Sequence, residues 1–158
     1  MTPRLETLPE TKLVGQHLRM SLANDRTGEL WRNFMPRRKE IPNPVTRDLI
    51  SLQVYDQPLT YADFGPTTGF EKWALVEVGD FETIPDGMEA FTLPRGLYAV
   101  FHYQGLANAF AATFHYIFGT WLPNSAYALD HRPHFEVLGE KYKNNDPSSE
   151  EEIWVPVK

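Results

Sequence analysis

The sequence predicts an α+β fold in which a strand-helix-strand-strand unit occurs twice, giving a mostly antiparallel sheet with two helices on one face and a ligand groove between the repeats. Three observations predict it. Segments with strand alternation and segments with helical spacing follow in the order strand, helix, strand, strand, and that order recurs. The third strands share a pattern, Glu71-Lys72-Trp73 beside Glu152-Ile153-Trp154. The chain has 158 residues, 42% of them hydrophobic, which suits one domain with one substantial core.

Lys12–Met20 carries Leu13, Val14 and Leu18 and reads as a strand. Thr27 is placed as an N-cap, and Leu30, Trp31, Phe34 and Met35 give an apolar helical stripe over 28–40. Arg37, Arg38 and Lys39 sit where cations favour a helix C-terminus, and Pro36 interrupts the helix or starts its last turn. Leu49–Tyr55 and Trp73–Val78 are strands, separated by a loop punctuated by Gly65, Pro66 and Gly69. Met88–Leu93 and Leu97–Tyr103 are strands joined by the turn Pro94-Arg95-Gly96. Leu106, Phe110, Phe114, Ile117 and Trp121 recur at helical spacing and predict a helix over 106–121. Tyr127–Asp130 and His134–Leu138 read as short extended pieces, Asp146–Glu152 as an acidic loop and Ile153–Val157 as the last strand. The repeats then run over about 11–80 and 86–158 of a single 1–158 domain.

Composition excludes several functions. The absence of cysteine rules out a disulfide scaffold, a thiolate metal site and a cysteine nucleophile. Fifteen Lys and Arg against 21 Asp and Glu give a net charge of −6, which disfavours direct binding of nucleic acid. No apolar run approaches the roughly 20 residues of a membrane span, and Met1–Glu10 is no signal peptide. The expectation is a cytoplasmic protein without membrane partners or cofactor. His131 and His134 flank Pro133, and no further ligand completes a metal site. Nucleotide-binding and hydrolase signatures are missing as well.

Aromatic residues make up 13% of the chain, more than the core needs, so some are expected to line a cavity. Two acids lie in apolar strands. Alternation puts Glu136 on one face with His134 and Leu138, and Glu77 on one face with Trp73 and Leu75. Each is either an edge residue facing water or a carboxylate in a cavity, where it awaits a cationic or hydrogen-bonding ligand or does acid–base work. Tyr55 and Tyr98 can offer hydroxyls, Trp31, Trp73 and Trp121 ring faces, and His102 a titratable group in a strand. Each of these also has a structural reading.

The segments Leu93-Pro94-Arg95-Gly96-Leu97-Tyr98-Ala99-Val100-Phe101, Trp121-Leu122-Pro123-Asn124-Ser125 and Phe135-Glu136, closed by Glu152-Ile153-Trp154-Val155-Pro156-Val157, resemble the gyrase-inhibitor-like (GyrI-like) small-molecule-binding domain. This is also the effector-binding domain of bacterial AraC-type and MerR-type transcription activators. The match is clear over Trp73–Val157. It implies the duplicated fold and a groove for small organic ligands, aromatic or cationic, with Glu136 as the pocket acid. Trp121 and Tyr98 match family motif positions. The expectation is therefore a stand-alone binding protein, since the repeat begins near Lys12 and leaves no room for a DNA-binding module. The alternative is a hydrolase of the kind some stand-alone members resemble, which opens strained cyclopropane-bearing xenobiotics with Glu136 as general acid or base and Tyr98 assisting. The segment 30–39 matches no family motif.

Overall fold

The computed structural model describes residues 1–158. The elements follow as β1 (Arg4–Leu8), β2 (Thr11–Met20), α1 (Thr27–Phe34), β3 (Leu49–Tyr55), β4 (Phe70–Glu77), β5 (Glu89–Leu93), β6 (Gly96–Gln104), α2 (Phe110–Tyr116), β7 (His134–Leu138) and β8 (Glu150–Pro156). Sequence alternation misses β1, although Arg4-Leu5-Glu6-Thr7-Leu8 alternates as an edge strand should.

Both helices depart from the continuous forms that the spacing predicts. α1 tightens into a 3-10 turn over Met35–Glu40, where Pro36 brings no N–H to an α ladder. α2 opens with a 3-10 turn over Ala107–Ala109, widens into a π turn over Ile117–Trp121 and ends in a single turn over Leu122–Asn124. Thr27 is the first helical residue rather than the cap. Its N–H donates to Asp25 Oδ1 (2.9 Å), so Asp25 satisfies the freed donor. Tyr127–Asp130 forms no strand and contributes one isolated bridge, Leu129 to Val157. β8 begins inside the expected acidic loop, at Glu150.

All eight strands form one sheet in the order β1-β6-β8-β7-β3-β4-β2-β5, with antiparallel neighbours throughout. The order is symmetric about the β3–β7 contact. β1 pairs with β6 and β5 with β2, so each half of the chain sends its leading strand to the other half. Gly15 permits a close approach within β2. A Cβ there would sit 1.8 Å from the Ala74 carbonyl oxygen.

Cross-strand rows assign the faces. Phe101, Ile153, Glu136, Ser51 and Ala74 are successive partners across β6, β8, β7, β3 and β4, so their side chains share one face. On that face α1 packs Leu30 and Phe34 over Val14, Ala74 and Val76. α2 and its π turn pack Ile117 and Phe118 over Phe101, Ile153 and Val155. Both helices therefore lie on the same face, as the repeat requires. The second row, Val100, Trp154, Phe135, Leu52 and Trp73, belongs to the opposite face, where the sheet closes over its largest apolar cluster.

Candidate functional site

Between the two helix-covered areas the central strands β3 and β7 present polar residues to the helix side. The row logic places Ser51, Gln53, Lys72, His134, Glu136 and Glu151 on this floor. Ser51, Gln53 and His134 are buried, and the Glu136 side chain is only 17% exposed. The acid is not isolated. Lys72 Nζ lies 4.0 Å from Glu136 Oε1. The Gln53 amide bridges the two. Oriented to satisfy both ends, its nitrogen donates to Glu136 Oε2 (3.1 Å) and to the His134 carbonyl (3.2 Å), and its oxygen accepts from Lys72.

Burial raises the pKa of Glu136, with Lys72 and Gln53 opposing. Glu151 is pushed up to about 7, by burial first and then by the charge of Glu136, again against Lys72. His134 is pushed down to about 3 by burial, aided by His131 and Arg132, and so stays neutral at physiological pH. The Tyr55 hydroxyl is held neutral by burial and by Glu136.

Five rings form a closed circuit beside this acid. Tyr55 stands 5.1 Å from His134, His134 6.0 Å from Phe118, Phe118 4.6 Å from Phe114, Phe114 5.5 Å from Phe64 and Phe64 6.0 Å from Tyr55. Phe64 belongs to the β3–β4 connection, which reaches across to α2. There Tyr61 is hydrogen-bonded to His115 Nδ1. The connection thus closes over the floor with its own aromatic side chains.

Among the residues singled out in the sequence, Glu136 and Tyr55 come together here. Tyr98 does not. It lies on the opposite face, fully buried, with its hydroxyl donating to the Pro133 carbonyl (2.9 Å) and the Arg132 guanidinium 4.7 Å above its ring. Trp73 also faces the far side, stacked on His17 at 4.2 Å. Glu77 shares that face through its partner Leu13, half-buried and raised in pKa by burial and by Asp48. His102 is exposed and pairs with Glu150 (2.7 Å). Trp121 is on the helix side but packs edge-on against Phe101 at 5.1 Å, over β6 rather than the central strands. Trp31 is half-buried beside Phe34 at the rim of the α1 cluster.

Sequence reasoning missed Lys72, Gln53, Glu151, Phe64, Phe114 and Phe118 as groove residues. Gln53 and Lys72 carried a signal, as polar side chains inside the apolar strands LISLQVY and FEKWALVE. No group of three or more His, Cys, Asp or Glu residues has the geometry to hold a metal ion. No helix is long and apolar enough to cross a membrane.

Comparison with known proteins sets this geometry in context. The chain is 27% identical over 160 residues to the transcriptional regulator BrlR of Pseudomonas aeruginosa, covering 99% of this chain and 56% of BrlR, so it spans about half the length of that relative. The integron cassette protein of Vibrio cholerae superposes with a TM-score of 0.70 at 14% identity, covering 100% of this chain and 97% of the other. SAV2435, solved bound to tetraphenylphosphonium, superposes with a TM-score of 0.65 at 19% identity, covering 100% and 94%. These likenesses establish the eight-stranded, two-helix fold. The family model of the integron-associated effector binding proteins matches residues 4–157, and the chain belongs to that family.

Proposed function

We propose that the groove on the helix side of β3 and β7 captures a small organic cation with aromatic or bulky apolar substituents, the chain acting over 1–158 as one binding domain. The reading rests on one observation: a part-buried carboxylate, Glu136, beside a closed circuit of five rings. A ring face attracts a cation by roughly 0.5–2 kcal/mol, and a nearby carboxylate adds charge complementarity. Lys72 already offsets Glu136, so an incoming cation competes with it. Glu151, partly ionised at neutral pH, supplies further negative charge. The lipophilic cation in the related SAV2435 supports this ligand class.

Phe64 and Tyr61 lean over the floor from the β3–β4 connection, so a bulky ligand enters by lifting that connection. The test is a titration of tetraphenylphosphonium and neutral triphenylphosphine oxide against wild type and Glu136→Gln. Affinity for the cation should fall by about 1–3 kcal/mol, roughly 5- to 150-fold, while the neutral compound changes little. Equal affinities in both proteins would remove Glu136 from the site. Turnover of a strained electrophile, lost in Glu136→Gln with binding intact, would overturn the binding reading in favour of hydrolysis.

A further inference from the structure

We propose that the cleft beyond the end of α1 is a second ligand site, suited to a small organic anion with an apolar body. The cleft has a volume of about 500 Å³, within the range of small-ligand sites. Met35, Arg38, Lys39, Ile41, Arg47 and Val76 line it, and neither Glu136 nor the ring circuit does. Ile41 and Val76 form a buried apolar floor, with Met35 exposed at the lip.

The cations around it are arranged unequally. Arg37 is spent on Glu40 (2.8 Å). Arg38 donates to the Arg47 carbonyl, which ties the connection after Ile41 back onto the 3-10 turn and brings Arg47 to the same cleft as Lys39. Lys39 and Arg47 are exposed and form no ion pair with any carboxylate. Glu40, next to Lys39 in sequence, turns its carboxylate to Arg37 and makes no ion pair with Lys39, and two other nearby acids turn elsewhere. Asp48 points toward Gly139, with its Oδ1 3.3 Å from the position a Cβ would take there. Glu77 faces the other side of the sheet.

Two unpaired cations above an apolar floor, in a chain of net charge −6, match a carboxylate or phosphate head on an apolar body. The helix C-terminal turn does not require these charges. After Pro123, the proline that closes the other helix, the chain reads Asn124-Ser125-Ala126.

The test uses 1-naphthoate, with acetate and neutral 2-naphthol as comparators, titrated by calorimetry into the whole protein. Wild type should bind naphthoate, more weakly as salt rises, and acetate and naphthol far less. The double variant Lys39→Gln/Arg47→Gln should lose naphthoate affinity by about tenfold or more, with an unchanged melting temperature because both side chains are exposed. Met35→Gln should weaken naphthoate and leave acetate unchanged. Glu136→Gln and saturating tetraphenylphosphonium should leave naphthoate binding as it is, so this site stands or falls independently of the groove. Naphthoate affinity unchanged in the double variant, acetate binding as tightly as naphthoate, or displacement by tetraphenylphosphonium would each overturn the proposal.

Discussion

The two halves of the sheet are built alike on one face and differently on the other. Leu52 and Phe135 are partners at the central contact, and their neighbours Trp73 and Trp154 are equivalent. Extending that register matches Gln53 with Glu136, Phe70 with Glu151, Tyr55 with Leu138 and Lys72 with Ile153. The apolar face is thus kept in kind, large hydrophobic against large hydrophobic. The helix face is not: one half supplies the amide and the lysine, the other the two acids. A symmetric scaffold has acquired an asymmetric floor, and the charge pattern of the groove comes wholly from the positions where the halves disagree.

The comparison can first be broken at the face the halves share. Trp73 and Trp154 are both nearly buried, at 9% and 7% exposure. Trp154 stacks on Phe135 at 5.1 Å and Trp73 on His17 at 4.2 Å. Each Trp→Ala change should cost about 3–5 kcal/mol in urea unfolding. A cost at only one of the two would mean that the common face is not energetically shared.

The second test makes the halves equal where they differ. Lys72→Ile copies Ile153 and leaves Glu136 with Gln53 alone, so it should destabilise by about 2–3 kcal/mol at pH 7. Lys72→Ile/Glu136→Gln copies both positions and should recover at least half of that loss. Additive losses in the double variant would show that the two residues do not act as a pair.

The third and smallest effect concerns Glu151, whose counterpart Phe70 carries no charge. Its folded pKa of about 7 exceeds the unfolded value of about 4.3. Between those values the folded protein holds a proton that the unfolded chain releases, so this residue lowers stability as pH rises through the window. Glu151→Gln should therefore be more stable than wild type by about 1–3 kcal/mol at pH 8 and no different at pH 4. His134, held neutral down to about pH 3, acts in the opposite sense, since acidification below about 6.5 charges it only in the unfolded chain. The two slopes oppose each other between about pH 4.3 and 6.5. Urea midpoints across pH should be flatter for wild type than for Glu151→Gln, and parallel curves would refute this assignment.

Most of the fold was legible because its cause is local. Alternation in Lys12–Met20 and Leu49–Tyr55, and the Glu-x-Trp pattern of the third strands, survive in the sequence without knowledge of partners. β1 was not legible, because five residues with two charges have little local signal and their partner lies at Gly96–Val100. The site was legible only in part. Alternation correctly grouped His134 with Glu136, and Glu77 with Trp73. It cannot say which group faces the helices, since that depends on register across five strands. Hence Tyr98, singled out by its motif position, and Trp73, singled out for its ring face, stand on the far face. Lys72 stood out as a polar residue in an apolar strand, but its pairing with Glu136 could not be read without knowing that β3 lies between their strands. The interrupted helices have a plain cause in Pro36 and Pro123, but the π turn in α2 is not explained by any residue in it.

The crossing of the leading strands sets an order of events in time. β1 leaves the ribosome long before its partner β6, so Arg4 waits for Val100 and Leu8 for Gly96. β2, whose inner edge meets β4, has an open outer edge until Thr11 and Gly15 find Leu93 and Glu89. Neither half can complete its edge while the other is missing, so a nascent chain stopped within the first repeat carries one unpaired strand and one unsatisfied edge. Pairings this remote in sequence are slow to close. The newborn chain therefore passes through an interval in which β1 is loose and β4 is already docked, the period when it is most exposed to wrong partners.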